Sequence, residues 1–393
     1  MKKIYLPLLL TVVLFSSFIR PENPANVSIR ILTTKVISTF AFSPTSGDYL
    51  VYADEQLIKD YDPTGIFQMN IEKDSILLKT FERTIGRFAS IKFYSKEKQG
   101  EFKIKSVVPQ SRVRTYDGNM EVGLTADKSQ FLIVNKVPLE NYIAGVVQSE
   151  AGKNISLEYY KLQAILCRTF LLSHINRHEA EGFQLCDDVH CQAYLNKATE
   201  ANIVKGVFET KGLVIVDNDL NLITSAFHSN CGGVTCNSQD VWSISTSYLK
   251  SVKDTFCIHS FNAVWQRTIP LEDWKAYLQL KHKLPVDDSA KFLGTTSFTQ
   301  ANGRSTYFTD RNLKIPLKTI RADFKLRSTY FSIEQIGDSI RFNGRGYGHG
   351  VGLCQEGAMR QAVLGYSFRS ILNYYYKDVH LVDLSALNYF TQE

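Results

Sequence analysis

The stretch Val137-Pro-Leu-Glu-Asn-Tyr-Ile-Ala-Gly-Val-Val-Gln-Ser-Glu150 decides the fold. Its apolar residues recur at the spacing of one helix face, from Leu139 through Tyr142 to Val146. Glu150 comes about three helical turns after Leu139, so the same face carries it. A carboxylate on a buried face is unusual. The stretch therefore predicts an amphipathic helix that ends in a chemically special glutamate.

A second helix is predicted from Ser156, as its N-cap, to about Asn176. Gly152 separates the two helices, and the short connection makes them neighbours. Residues 26–136 contain short strand-like runs between turn residues. The sequence thus predicts an α+β fold, with a β-rich scaffold around a central helical catalytic segment.

The same patterns divide the chain into three parts. Residues 1–20 are predicted to be a signal peptide or membrane anchor, and residues 26–131 a β-rich N-terminal region. Residues 132–384 are predicted to form a catalytic domain with a less typical insertion at about 260–340. Pro138 is placed at the first helical position, and strands are expected at 212–216, 222–228 and 379–382.

Composition and the N-terminus limit the partners and the location. The net charge of +6 is spread over 393 residues without a Lys/Arg block, so a nucleic-acid partner is not expected. Lys2 and Lys3 precede an uncharged apolar run at residues 4–19, which is typical of a secretory signal or a retained anchor. Either alternative places the chain in the cell envelope, periplasmic or extracytoplasmic, with membrane contact only through that run.

Glu150 is the first candidate for chemistry. Burial disfavours a charged carboxyl group, so its pKa is expected to rise toward the range of a general acid near neutral pH. The alternative is a structural carboxylate that caps the next helix or pairs with Arg168 or Lys161.

A His/Cys cluster follows the second helix. His178, Cys186, His190 and Cys191 carry the usual ligand atoms of tetrahedral zinc, and four protein ligands would make the ion structural. The alternative is a Cys186–Cys191 disulfide with two surface histidines. The total of seven cysteines is odd, so at least one has a role outside disulfides.

Two glycine-containing segments complete the candidates. His228-Ser-Asn-Cys-Gly-Gly233 allows close backbone approach to a ligand, or it forms a tight turn with a Cys231–Cys236 disulfide. Gly344-Arg-Gly-Tyr-Gly-His-Gly-Val-Gly-Leu-Cys-Gln355 alternates glycine with other residues. In an extended strand this pattern puts the glycines on one face, where a backbone or a sugar can lie flat.

Taken in order, these motifs resemble the stage II sporulation protein D family, lytic transglycosylases of peptidoglycan. The resemblance is strong over about 132–255 and 341–381 and weak elsewhere. The matching segments are Val137–Glu150, Lys161–Phe170, Leu185–Tyr194, Cys231–Gly233 with Trp242 and Tyr248–Leu249, and Gly344–Gln355.

The resemblance implies that Glu150 is the catalytic acid/base and that the His/Cys cluster holds Zn²⁺. Contact with substrate is predicted for Arg168, Tyr194, Ser229, Cys231, Gly232, Tyr347, His349 and Gln355. Cys231 and Cys354 depart from the family pattern, which usually has serine at both positions.

The implied reaction cleaves the bond between N-acetylmuramic acid and N-acetylglucosamine and leaves an anhydro-muramic end. The implied substrate is peptidoglycan glycan strands that lack stem peptides. One rival hypothesis is a non-catalytic enhancer that acts through a cell-wall amidase. The other is a zinc hydrolase, which needs an open metal position that four protein ligands do not leave.

Overall fold

A computed structural model describes residues 25–58, 65–97, 100–301, 303–310 and 313–389. The predicted signal or anchor at residues 1–20 lies outside them. The region before the first helix consists of strands, as predicted. They are β1 (Asn26–Arg30), β2 (Thr39–Ser46), β3 (Tyr49–Ala53), β4 (Gln56–Leu57), β5 (Phe67–Glu72), β6 (Ser75–Lys79), β7 (Thr84–Phe88), β8 (Ile91–Ser95), β9 (Glu101–Val108), β10 (Arg114–Asp117), β11 (Asn119–Leu124) and β12 (Phe131–Pro138).

After β12, helices alternate with shorter strands. The helices are α1 (Leu139–Ala151), α2 (Leu157–Ser173), α3 (Ala201–Glu209), α4 (Ser238–Trp242), α5 (Leu271–His282), α6 (Ser289–Leu293), α7 (Leu317–Asp323), α8 (Gln355–Val363), α9 (Phe368–Tyr375) and α10 (Leu384–Tyr389). The strands are β13 (Leu185–Cys186), β14 (Leu213–Val216), β15 (Phe227–His228), β16 (Val264–Pro270), β17 (Ser297–Phe298), β18 (Tyr307–Asp310), β19 (Leu313–Pro316), β20 (Phe331–Ile336), β21 (Ser339–Arg345), β22 (Leu353–Cys354) and β23 (His380–Asp383). The α+β prediction is confirmed.

The front strands form two sheets that pack face to face. One sheet has the order β13-β1-β12-β11-β8-β3-β4, and the other has the order β10-β9-β2-β5-β6-β7. Alternate side chains point inward, as in any pleated strand, and Phe42 of β2 stacks on Phe93 of β8 with 4.0 Å between ring centroids. The border predicted between 131 and 132 falls at the first residue of β12, which pairs with both β1 and β11.

Helix α1 follows β12 directly and buries the predicted stripe. Tyr142, Ile143 and Val146 are fully enclosed, and α1 packs on α2. The helix ends at Gly152, whose φ is 80°. Pro138 stands one residue before the first helical residue, which corrects its predicted position by one. Helix α2 begins after Ser156, as predicted, and ends at Ser173, before the predicted Asn176.

The predicted strand at 222–228 is wrong over most of its length, because only Phe227–His228 forms a strand and Leu222 makes an isolated bridge with Val216. Its backbone and side-chain groups bond elsewhere: the Thr224 N–H donates to the Tyr248 hydroxyl (3.0 Å), and the Ser225 hydroxyl donates to the Leu166 carbonyl (2.8 Å). The expected strands at 212–216 and 379–382 are present as β14 and β23, which pair antiparallel.

The glycine-alternating segment is not the extended strand that the sequence predicts. Strand β21 ends at Arg345, and Gly346, Gly348, Gly350 and Gly352 all have positive φ, from 71° to 114°. The segment instead lies tightly against residues 226–232. A Cβ atom at Gly346 would be 2.6 Å from the Asn230 carbonyl oxygen, and one at Gly352 would be 2.1 Å from the Ala226 carbonyl oxygen. Close backbone approach therefore explains why glycine occupies positions 346 and 352.

The insertion builds a small core of its own. Strands β16, β21, β20 and β17 form a sheet against α5, and Trp274 of α5 is fully buried among Phe308, Phe324 and Phe342. The front sheets, the central helices and residues 351–384, which include α8 and α9, share a separate core. Of the helices that the structure describes, none combines the length and the apolar character needed to span a lipid bilayer.

Candidate active site and metal centre

Glu150 lies in the last turn of α1 with its carboxyl group largely out of water. The Ala193 N–H donates a hydrogen bond of 3.0 Å to its Oε1. Burial raises the pKa of Glu150, and the bond from Ala193 opposes that rise because it favours the ionised form. The expected direction of the pKa shift is confirmed.

The ion pairs considered as alternatives go to other carboxylates. Arg168 binds Glu140, with Nη2 2.5 Å from Oε2 and Nε 3.1 Å from Oε1. Lys161 binds Glu158 and Glu209 at 2.9 and 3.0 Å. Within the described ranges, no basic side chain forms an ion pair with Glu150. Its carboxyl group is therefore free of the charge that would hold it ionised.

The wall beside Glu150 is neutral and buried. Tyr159 and Cys167 of α2 are fully enclosed, and both feel the charge of Glu150. The Tyr159 hydroxyl donates to Gln163 Oε1 (2.9 Å), and Gln192 Nε2 donates to the Cys167 carbonyl (3.4 Å). A wall of this kind strengthens the preference of Glu150 for its protonated form.

The four predicted zinc ligands converge. The Sγ and ring nitrogen atoms of His178, Cys186, His190 and Cys191 all lie within 4.8 Å of one another. Cys191 Sγ is 3.6 Å from His178 Nε2 and 3.6 Å from His190 Nδ1, and Cys186 Sγ is 3.8 Å from His190 Nδ1. Sulfur and nitrogen ligands of one tetrahedral zinc are about 3.5 Å apart, as zinc–ligand distances of ~2.0–2.3 Å require. The donor set and its spacing thus fit zinc.

The surroundings of these ligands are those of a metal site. His178 Nδ1 is 2.6 Å from Glu181 Oε1, which leaves Nε2 to face the cluster. Arg177 donates to the His190 carbonyl (2.8 Å) and approaches Cys191 Sγ (3.9 Å). The pKa of Cys191 is lowered to about 6, chiefly because the Cys186 thiol donates to it. Cys186 and Cys191 are free thiols, so the disulfide alternative is wrong for this structure.

One loop joins this cluster to Glu150. Strand β13 pairs with β1, and Asp187 accepts bonds from the Leu32 N–H (2.7 Å) and from Arg114 Nη1 (2.8 Å). The loop then supplies Cys191 and, two residues later, Ala193. The Ala193 N–H, which donates a hydrogen bond to Glu150, is thereby held next to the proposed metal ligands.

Three of the side chains predicted to bind substrate are enclosed in the protein. Arg168 is occupied by Glu140, the Tyr194 hydroxyl donates to Asn135 Oδ1 (3.1 Å), and Cys231 Sγ lies 3.4 Å from Cys257 Sγ. All three are at most 1% exposed. They have no surface to offer a ligand, and we therefore assign them structural roles in place of the predicted contact with substrate.

Among the other predicted contacts, Ser229, Gly232, Tyr347 and His349 belong to the glycine segment and to residues 227–233, which lie against each other. Tyr347 is 45% exposed, and Ser229 is partly buried. The Gly232 N–H bonds internally to Asn230 Oδ1 (2.7 Å). Gln355 lies beside Tyr159, and its buried Nε2 is one of the polar atoms without a hydrogen-bond partner among the described residues.

His349 is held as a neutral ring. Its Nδ1 accepts from the Val351 N–H (3.1 Å), and its Nε2 donates to the Phe227 carbonyl (2.9 Å). Burial lowers the pKa of His349 to about 4. The half-exposed ring of Trp242 stands beside it, 5.3 Å between centroids.

His228 is a further candidate that the sequence gave no specific role. Its Nδ1 donates to the Val351 carbonyl (3.1 Å), and its buried Nε2 has no partner among the described residues. Burial lowers the pKa of His228 well below the ordinary value, so Nε2 is an acceptor. The only sequence signal was its position before the paired glycines.

A cavity of about 700 Å³ opens at the front of the molecule. Its walls include Arg112, Arg114, Leu195 and Asn196, and Glu150 does not line it. It nevertheless adjoins the site, because the Leu195 N–H donates to the Ser149 hydroxyl (3.1 Å), next to Glu150.

The arrangement defines a mixed α/β protein in which a half-buried, unpaired carboxylate stands beside a closed His/Cys cluster. Comparison with known proteins agrees with that arrangement. Residues 127–216, which hold Glu150 and all four proposed ligands, match the family described as "SpoIID: Stage II sporulation protein".

Individual relatives extend the similarity. Stage II sporulation protein D of Bacillus subtilis is 30% identical over 270 residues, which span 64% of this chain and 77% of that protein. An uncharacterised protein of Brachyspira hyodysenteriae is 27% identical over 264 residues, 65% of this chain and 70% of that protein. The amidase enhancer of Bacillus subtilis is 29% identical over 286 residues, 60% of this chain but 39% of that protein. The protein belongs to the stage II sporulation protein D family.

Proposed function

We propose that this protein is a peptidoglycan lytic transglycosylase with Glu150 as its single general acid/base. The observation that carries the proposal is the state of that carboxyl group. It is desolvated, it has no ion-pair partner in the described part of the chain, and it receives one N–H bond at Oε1. Such a group is protonated at higher pH than an ordinary glutamate and still has an oxygen free to act on substrate.

In the first step, protonated Glu150 donates its proton to the glycosidic oxygen between N-acetylmuramic acid and N-acetylglucosamine. The C1–O bond of the muramoyl residue breaks, and positive charge develops on its ring as an oxocarbenium-like state. The carboxylate formed on Glu150 faces this charge. The Ala193 N–H stabilises that carboxylate.

In the second step, ionised Glu150 accepts the proton of the muramoyl C6 hydroxyl. The C6 oxygen attacks C1 of the same sugar and closes the anhydro ring, and Glu150 is again protonated. No water is consumed, so one carboxyl group serves both steps, whereas hydrolytic glycosidases use two.

Zinc enters the proposal only as a structural ion. His178, Cys186, His190 and Cys191 would hold it, and with four protein ligands the ion would supply folding stability. The residues themselves position the loop that carries Ala193. The zinc-hydrolase alternative is not favoured by a closed ligand set.

The surface around the site suits a polymer. The half-exposed aromatic rings of Trp242 and Tyr347 lie on the glycine segment and its neighbour, and the front cavity with Arg112 and Arg114 adjoins Ser149. Apolar faces with a few polar groups are the common lining of ligand clefts. We propose glycan strands without stem peptides as the substrate, acted on outside the cytoplasm.

Product analysis tests the proposal directly. Purified protein is incubated with peptide-free glycan strands, and the ends formed are identified by mass spectrometry. Anhydro-muramic ends from the wild type, and a loss of about 10²- to 10⁴-fold in Glu150→Gln, are expected for a general acid/base. Glu272→Gln, an exposed change on α5, is the matched control and should cleave normally. Hydrated reducing ends, or normal cleavage by Glu150→Gln, contradict the proposal.

A second candidate function rests on the similarity to a protein named amidase enhancer. In that case the chain binds cell wall or an amidase without cutting glycan. Adding it to a cell-wall amidase should then raise the release of stem peptides equally for wild type and Glu150→Gln. No anhydro ends should form in either reaction.

A further inference from the structure

A second cluster of metal-binding side chains includes neither Glu150 nor any of the first four proposed ligands. The ligand atoms of Cys231, Asp254, Cys257 and Cys354 all lie within 4.8 Å of one another. Each of the four residues is fully buried. The two cysteines that depart from the family pattern, Cys231 and Cys354, therefore meet in this cluster.

The spacing inside the cluster is that of one coordination sphere. Cys231 Sγ is 3.4 Å from Cys257 Sγ and 3.4 Å from Asp254 Oδ2. Two ligand atoms of a tetrahedral zinc ion are about 3.5–3.8 Å apart, so these edges are short by a few tenths of an ångström. A small relaxation outward would accommodate the ion.

Surrounding groups fix the orientation of the carboxylate. The Tyr375 hydroxyl donates to Asp254 Oδ2 (2.9 Å), and the Phe256 N–H donates to Oδ1 (2.9 Å). Such second bonds are what orients metal-binding carboxylates. In the described ranges no basic side chain forms an ion pair with Asp254. A carboxylate buried among thiols needs a cation or a proton to offset its charge.

We propose that these four residues bind a second Zn²⁺ through three sulfur atoms and one carboxylate oxygen. Three thiols lose their protons to the solvent as the ion binds. Soft thiolates select zinc over magnesium or calcium, and four protein ligands make the site structural. The resulting net charge equals that of a four-cysteine zinc site.

The position of the site indicates its role. Cys231 follows β15, Cys354 ends β22, and these two strands pair in parallel. Asp254 and Cys257 belong to the loop between α4 and β16. One ion would thus clamp three segments that are far apart in sequence and hold the glycine segment against residues 226–232. The proposal does not rest on the transglycosylase activity.

The test is the zinc content of the full-length protein, purified under reducing conditions and measured by elemental analysis. The wild type should carry about two zinc ions per chain, one for each cluster. Cys257→Ser should carry one, and Cys186→Ser in the first cluster should also carry one. Cys167→Ser is the matched control, because Cys167 is a buried free thiol in neither cluster, and it should retain two.

X-ray absorption at the zinc edge gives a second readout. Two filled clusters contribute five sulfur atoms among eight ligand atoms, whereas the His/Cys cluster by itself contributes two among four. If Cys257→Ser does not fold, the zinc content of Asp254→Asn and the X-ray absorption spectrum of the wild type still show whether the second cluster binds zinc. The proposal is overturned if the wild type carries one zinc ion per chain and this ion is lost in Cys186→Ser but retained in Cys257→Ser or Asp254→Asn. A Cys231–Cys257 disulfide, found by peptide mapping of unreduced protein that carries one zinc ion, overturns it in favour of a disulfide pair.

Both readouts are independent of glycan cleavage. Two zinc ions in a protein that forms no anhydro ends would support the second site and contradict the proposed function. One zinc ion in an active protein would do the reverse.

Discussion

Helix α1 carries two glutamates with opposite surroundings. Glu140, in the first turn, is buried and bound by two nitrogens of Arg168, which also donates to the Leu213 carbonyl (3.1 Å). Glu150, in the last turn, has the Ala193 N–H and no basic partner in the described part of the chain.

The comparison shows that burial by itself does not make a carboxylate reactive. Arg168 neutralises Glu140 and ties α1 to α2, so that carboxylate is committed to the fold. Glu150 is largely desolvated without a counter-charge, so its pKa is raised and its protonated form persists to higher pH than that of an ordinary glutamate. One helix therefore carries a structural carboxylate at one end and the proposed general acid at the other.

The largest loss of stability is expected when a proposed zinc ligand is removed from the loop that carries Ala193. Cys186→Ser should remove the proposed first zinc ion and much of the stabilisation it gives, which for structural zinc is on the order of 10 kcal/mol. Thermal unfolding and limited proteolysis within 186–196 are the measurements. Glu181→Gln is the milder control and should weaken zinc affinity by about 10- to 100-fold. An unchanged melting temperature in Cys186→Ser would show that no metal ion stabilises the loop that positions Ala193 against Glu150.

Glu140→Gln tests the structural role of the Glu140–Arg168 ion pair. It leaves the buried Arg168 guanidinium without its charge partner, so the free energy of unfolding should fall by about 3–5 kcal/mol. Denaturant unfolding measures this. The double change Glu140→Met with Arg168→Met removes both charges and should be less destabilising than Glu140→Gln. A loss below about 0.5 kcal/mol, the range of ordinary surface changes, would mean that the pair does not hold the helices.

The pH dependence of cleavage tests the proposed role of Glu150 as the general acid. The first step needs protonated Glu150, and its pKa is raised by burial, so kcat/KM should begin to fall at a pH above the ordinary glutamate value of about 4.3. The pH–rate profile on glycan strands gives the midpoint. A fall centred at the ordinary value, or a rate that does not depend on pH at all, would contradict the assignment.

The smallest effect concerns stability. Because the pKa of Glu150 is higher in the folded chain than in the unfolded one, its contribution is fully present below about pH 4.3 and is lost as pH rises through the folded value. Glu150→Gln is neutral throughout and can still accept from Ala193. It should therefore be more stable than the wild type at pH 7 and equal to it near pH 4. Equal melting temperatures at both pH values would show that the carboxylate is not desolvated.

Local sequence was enough for α1, α2 and the His/Cys cluster. The helical period places Tyr142 and Val146 on one face, and all four proposed ligands lie within fourteen consecutive residues, so their convergence needed only a short loop. The rise in the pKa of Glu150 followed from the same stripe.

The glycine segment shows where local reasoning failed. Alternation predicted an extended strand, yet four of its glycines have positive φ. A Cβ atom at Gly346 or Gly352 would meet the backbone at 226–232, and one at Gly348 or Gly350 would meet neighbouring side chains. Period-two spacing does not distinguish a pleated strand from a chain that is closely approached by other atoms at every second residue. The partner segment lies more than a hundred residues away.

By itself, the sequence determined which residues are candidates for chemistry: a glutamate that ends an apolar stripe, and histidines and cysteines in a short run. Only the tertiary structure decided which of them act together. In the folded chain Arg168 pairs with Glu140, and Glu150 has no basic partner among the described residues. Folding also brings Cys231, Asp254, Cys257 and Cys354 into one buried cluster. The physical reason is that pKa values and metal coordination depend on distances of a few ångströms between groups far apart in the chain, which no local pattern encodes.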